Sequence, residues 1–217
     1  MNWLSKHINT LNLTSILLVI FISACGNNTE VKSEVSNQEL PNLSVREDGT
    51  IHEIREFNLT DQDGKIFSSK TLDGKIYVAD FFFTTCPSIC PKMTGNMKNA
   101  FESFKNDSTV YFVSFSIDPE FDTPEILTKY AEEKAYNEFN WRFLTGDKEL
   151  IYSICEEDYM AYAMPSDTEP GGYIHSGFLI LVDPNGHIRG AFDGTSLGKS
   201  EDLVNDILKL KTEFSIN

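Results

Sequence analysis

In the run Cys86-Pro87-Ser88-Ile89-Cys90-Pro91 two thiols stand four residues apart, directly beyond an apolar stretch and at the start of a helical pattern. Proline suits a first helical turn, so a helix is expected to begin near Pro91. The free N–H groups and the dipole of a helix amino end favour thiolate over thiol. Two such thiolates can exchange disulfides with a partner, or they can hold a soft metal such as Cu(I), Zn(II) or an iron–sulfur cluster. Inert buried cysteines are the plain alternative, but the strand-end placement, the close spacing and the two prolines together favour reactivity.

A metal site needs a third ligand, and the chain has four histidines. His7 lies in an N-terminal segment that reads as a cleaved signal, His52 borders a polar stretch, and His187 follows Asn185-Gly186, where a solvated side chain is the ordinary outcome. His175 differs because it stands in Gly171-Gly172-Tyr173-Ile174-His175-Ser176-Gly177, just where a loop passes into an apolar run. Position alone makes it a candidate, since a lone loop histidine is more often a surface hydrogen-bonder. Met93 and Met97 carry soft thioethers, yet their spacing puts them on the packing face of the expected helix. Cys155 has Ile151, Ile154 and Tyr159 at helical intervals and reads as a small core hydrophobe. Glu156, Glu157, Asp158, Asp167 and Glu169 read as a solvated acidic rim.

The elements that must position these groups follow from pattern. Seven of the eight residues 76–83 are apolar, with Asp80 the exception, which predicts a strand buried on both faces in the middle of a covered sheet. Functional crevices of open α/β sheets lie beyond the carboxyl ends of such strands. Residues 57–60 and 65–67 flank Asp61-Gln62-Asp63-Gly64 as a hairpin, and residues 178–182 and 187–192 flank Asp183-Pro184-Asn185-Gly186 as another. Residues 110–117 form a second buried strand. Thr123 and Pro124 then open a helix to about Glu133, and Asp147 caps one through Glu156. Residues 141–144 suggest a short strand, Ser200 caps a last helix, and residues 164–174, with Pro165, Pro170 and two glycines, read as a loop able to move. The order predicts an α/β thioredoxin-like fold: a central mixed β-sheet flanked by helices, with an additional N-terminal β-hairpin. In such a sheet the loop entering the strand at 178 packs beside the cysteine motif, which brings His175 near the thiols.

The first residues read as an export signal, with Lys6, an apolar run over 16–22 and small residues before Cys25. Asn9, Asn12 and Thr14 interrupt any run of the about 20 apolar residues that spanning requires. Residues 20–25 resemble a bacterial lipobox, which implies removal of residues 1–24 and lipid attachment to the Cys25 thiol. Residues 25–50 then form a lipidated, flexible tether, and 51–217 one domain. Three cysteines remain after Cys25, so at most one intrachain bridge forms, and Cys86 with Cys90 is the natural redox pair. The formal net charge is −15. Without clustered Lys and Arg, nucleic acid is excluded as a partner, and lipid rather than charge must hold the chain at a membrane.

Three segments carry a family resemblance: Thr85-Cys86-Pro87-Ser88-Ile89-Cys90-Pro91; Ser116-Ile117-Asp118-Pro119-Glu120 with Asp122-Thr123-Pro124; and His175 ahead of Leu181-Val182-Asp183-Pro184-Asn185-Gly186. In order and spacing, over about 57–214, the chain resembles the SCO/SenC copper chaperones. The resemblance implies copper held by Cys86, Cys90 and His175, as Cu(I) with Cu(II) left open, and Asp118 as an outer residue supporting the ligands. It also implies a metallochaperone, not an enzyme, that helps assemble the binuclear copper centre of cytochrome c oxidase. Its partners would be subunit II or its copper-site precursor, with another copper donor protein left open. The expected setting is an exported lipoprotein facing the periplasm or cell exterior. The rival reading is a thiol:disulfide oxidoreductase, in which Cys86 attacks, Cys90 resolves and His175 is incidental.

Overall fold

The computed structural model describes residues 39–134 and 138–216. The expected signal at 1–24, Cys25 and the tether as far as residue 38 lie outside the described residues.

A seven-stranded mixed sheet organises the domain. Its strands are β1 (Asn58–Asp61), β2 (Ile66–Ser68), β3 (Ile76–Phe82), β4 (Val110–Ser116), β5 (Trp141–Thr145), β8 (Phe178–Val182) and β9 (Ile188–Asp193), in the spatial order β2-β1-β5-β4-β3-β8-β9. β6 (Ala163–Pro165) and β7 (Tyr173–His175) make a separate two-stranded sheet. The helices are α1 (Cys90–Glu102), α2 (Pro124–Lys134), α3 (Lys148–Ser153) and α4 (Lys199–Glu213). β3, β4 and β5 run parallel, while β8, β9 and the β1–β2 hairpin add antiparallel edges.

Every residue of β3 is buried. That burial is why its sequence runs apolar instead of alternating: β4 and β8 pair with its two edges and helices cover it. The aromatic core follows the strands, with Phe81 stacked on Phe115 and Trp141 on Phe143. The two expected hairpins share one device. Asp61 Oδ1 accepts from the N–H groups of Asp63 and Lys65, Asp183 Oδ1 accepts from those of Asn185 and His187, and Gly64 and Gly186 take positive φ of 72° and 79°.

Four local expectations are corrected. The 164–174 segment is not an unpaired loop: Ala163 pairs with His175, Met164 with Ile174 and Pro165 with Tyr173. The chain can reverse there because Gly171 and Gly172 adopt φ of 95° and 85°, which L side chains rarely take. The helix after Asp147 stops at Ser153 and continues as a π turn over Ile154–Asp158. The last helix is opened by Gly198 at φ 84°, while Ser200 lies inside it and is buried.

The distal end of the expected tether is the fourth. The Arg189 guanidinium donates to the carbonyls of Leu40 and Pro41, Leu43 N–H bonds to Ile188 O, and Ser44 Oγ accepts from Ile188 N–H. These bonds run along the free edge of β9, so residues 40–44 lie against the domain. His52 is buried with them, donating from Nε2 to Asp158 O and accepting at Nδ1 from Arg46. Among the described residues no helix is long and apolar enough to cross a membrane.

Candidate metal centre

β3 delivers the chain to Phe83, and a tight turn closes with Cys86 N–H on Phe83 O at 3.2 Å. Cys90 then opens α1, its first turn accommodating Pro91 because the N–H that proline lacks has no helical partner there. From the other direction, β7 ends at His175 just before β8. Since β8 pairs antiparallel with β3, the chain entering β8 arrives at the end of β3 where the thiols stand.

The sulfurs of Cys86 and Cys90 and a ring nitrogen of His175 all lie within 4.8 Å of one another. Cys90 Sγ is 3.3 Å from His175 Nε2. His175 Nδ1 lies 3.1 Å from Ser176 O, a bond that needs the proton on Nδ1 and so leaves the Nε2 lone pair facing the sulfurs. Phe83 packs edge-on against the imidazole with centroids 5.8 Å apart. A Cβ on Gly171 would come within 2.9 Å of the Phe83 ring and 3.0 Å of Pro87, so glycine there lets the hairpin cross the cysteine loop closely.

The two thiols are inequivalent. Hydrogen bonding from Cys90 holds the Cys86 thiol well below its usual range, outweighing burial, with nearby backbone N–H groups adding to it. Cys90, 1% exposed against 8% for Cys86, is pushed up by the neighbouring Cys86 sulfur and by burial. The pair therefore holds one proton, on Cys90, and presents one thiolate at the rim. Two sulfur donors and an imidazole nitrogen fit a soft monovalent ion.

Asp118 is not in contact with the three donor atoms. Its Oδ1 accepts from the Tyr173 hydroxyl at 2.9 Å, and its N–H bonds to Ser116 Oγ. Asp122, part of the second resemblance segment but given no role from sequence, is fully buried and lies closer to the thiol loop. Its carboxylate accepts from Thr84 N–H at 3.1 Å, from the Thr84 hydroxyl and from the Ser116 hydroxyl. Burial pushes its pKa up in spite of these donors. Asp80 is a second buried carboxylate, opposite Ser114 on β4, with one oxygen unpartnered and its pKa pushed up to about 6 by burial. The signal for it was a single acid inside an apolar strand.

Met93 and Met97 are fully buried, as their spacing implied, and Cys155 is buried with its thiol pushed up to about 12. The acidic rim is only partly solvated: Asp158 is buried and pairs with Arg55 Nε at 2.5 Å.

The family model described as SCO1/SenC matches residues 45–212. A "SCO1 protein homolog" of Bacillus subtilis (strain 168) is 30% identical over 202 residues, covering 92% of this chain and 96% of the relative. Among solved structures, BsSco, described as a member of the Sco family of cytochrome c oxidase assembly proteins with a disulfide switch, superposes with TM-score 0.69 at 31% identity, over 81% of this chain and 99% of that one. ScoI of Bradyrhizobium japonicum with copper bound superposes with TM-score 0.61 at 27% identity, over 72% and 98%.

Proposed function

The chain belongs to the SCO1/SenC family, and we propose that it takes up one copper ion through Cys86, Cys90 and His175 for assembly of the copper centre of a cytochrome c oxidase. The observation that carries this reading is the convergence of two thiols and a lone pair on Nε2 within 4.8 Å, from chain segments 85 residues apart. A relative of the same fold binds copper, and another is described as an oxidase assembly protein. Three soft donors suit Cu(I) and leave a coordination position through which a recipient's ligands can enter. Copper is here cargo, so the protein delivers it and turns nothing over. The recipient is subunit II or its copper-site precursor, and charge favours a basic face on it, given the net charge of −15. X-ray absorption at the copper edge tests the ligand set: two sulfurs and one nitrogen support it, and four tightly held protein ligands would count against ready transfer.

The anchor belongs to the same proposal. Cleavage before Cys25 and acylation of its thiol would hold the domain outside the membrane on a tether ending near Leu40. Mass spectrometry of the N-terminal peptide tests this, with a diacylglyceryl mass on Cys25 as the expected result and an unmodified Met1 as the contrary one.

One observation favours a second reading. A thiolate at Cys86, less deeply buried than the protonated Cys90 beside it, suits disulfide exchange, in which Cys86 attacks a partner disulfide and Cys90, losing its proton, displaces the partner's thiolate from the mixed disulfide. The partner leaves reduced and Cys86–Cys90 oxidised. Insulin reduction in the presence of dithiothreitol discriminates: vigorous turnover favours exchange, and its absence favours cargo binding.

A further inference from the structure

The hairpin that carries His175 is held over the thiols by few side-chain contacts. Its backbone bonds are internal to β6 and β7, with Ser166 N–H on Gly172 O and Ser176 N–H on Tyr162 O at its two ends. Besides the Phe83 ring on the imidazole and Gly171 passing close to Phe83 and Pro87, what joins it to the cysteine side is Tyr173, two residues before the imidazole. The Tyr173 ring packs on Phe83 with centroids 5.2 Å apart, Lys148 Nζ lies over it at 5.8 Å, and its hydroxyl donates to Asp118 Oδ1 at 2.9 Å. Asp118 is itself fixed, because Ser116 Oγ takes its N–H and its carbonyl accepts from the N–H groups of Phe121 and Asp122. The same short segment ends at Asp122, whose carboxylate grips Thr84. One loop after β4 therefore holds both halves of the site, the thiols through Asp122 and Thr84 and the imidazole through Asp118 and Tyr173.

We infer that Tyr173 is the positioning residue for the imidazole: its hydroxyl bond to Asp118 keeps the His175 hairpin closed over Cys86 and Cys90, and breaking that bond frees His175 so that a recipient can take the metal. The inference rests on the copper reading above. It adds a device through which a partner that displaces one partly buried hydrogen bond also removes one of three ligands. A hydrogen bond to a carboxylate is the kind of contact that can be broken and remade without unfolding anything.

The test is release of Cu(I) from the reduced, loaded protein to an excess of a chromogenic Cu(I) chelator, for the wild type, Tyr173→Phe, His175→Ala and the double variant. Phenylalanine keeps the ring on Phe83 and removes only the hydroxyl. Release from Tyr173→Phe is expected to be about tenfold faster than from the wild type, the scale of one charge-assisted hydrogen bond. In the His175→Ala background the same substitution is expected to add nothing, because Tyr173 acts through the imidazole. An unchanged rate, or an acceleration that persists without His175, overturns the inference. If the wild type binds no copper, or His175→Ala releases it no faster, the copper reading fails instead. Hydrogen exchange of the Ser166 and Ser176 amides in metal-free protein then still decides about Tyr173: about tenfold faster exchange in Tyr173→Phe supports the latch, and unchanged exchange overturns it.

Discussion

Cys90 Sγ lies 3.3 Å from His175 Nε2, and the other ring nitrogen is committed to Ser176 O. The imidazole is thus oriented before any metal arrives, with its lone pair on the sulfur side. The backbone carbonyl thus fixes which ring nitrogen carries the proton.

The inequality of the thiols predicts selective chemistry. Cys86 should alkylate with iodoacetamide at a rate nearly constant from about pH 5 to about pH 8, since its thiolate is fully formed across that window. Cys90 and Cys155, raised and buried, should stay unmodified in the folded protein. Peptide mapping after brief labelling checks this, and equal labelling of Cys86 and Cys90 would contradict it.

Asp122 predicts a coupled loss. Asp122→Ala leaves the Thr84 N–H and two hydroxyls without their acceptor in a buried place, which should cost about 2–3 kcal/mol of stability. Because Thr84 precedes Cys86 by two residues, copper affinity should fall with stability. Urea unfolding and a chelator titration on the same preparation check both, and loss of either without the other would contradict the coupling.

Much of this was legible because local pattern and chemistry coincided. The apolar run of β3 declared a central strand, the Asp-x-x-Gly turns declared the hairpins, and Cys86, Cys90 and His175 stood at strand ends where the fold gathers groups. What stayed hidden had no local signal. β6 and β7 are three residues each, one containing Pro165, too short to show a period of two. The docking of Leu40 and Pro41 depends on Arg189, almost 150 residues away in sequence. Asp122 looks like any turn acid until Thr84 is brought to it, and Tyr173 like any loop tyrosine until Asp118 is.

Asp80 predicts a pH dependence of stability. Its folded pKa of about 6 lies above that of an unfolded aspartate, so below about pH 4 both states hold the proton and no cost arises. As pH rises from about 4 to about 6 the unfolded chain ionises first, and stability falls by an amount on the order of 3 kcal/mol, remaining lost above that window. Asp80→Asn, which never ionises, should therefore be more stable than the wild type at about pH 8 and nearly equal to it at about pH 4. Denaturant unfolding at the two pH values checks this, and a difference independent of pH would contradict the assignment.

Met93 and Met97 serve packing. Met93→Leu with Met97→Leu keeps the volume of two fully buried side chains and should cost less than about 1.5 kcal/mol each while leaving copper affinity unchanged. A weakened Cu(I) affinity in the folded double variant would instead place a thioether at the metal.

The central claim is tested most directly by an anaerobic Cu(I) titration of the reduced protein against a competing chelator, with Cys86→Ser, Cys90→Ser and His175→Ala alongside. One tightly held copper per chain, weakened at least about tenfold by each substitution, is the expected result. Weak binding that ignores His175 would contradict the three-ligand site and move the assignment to thiol:disulfide exchange.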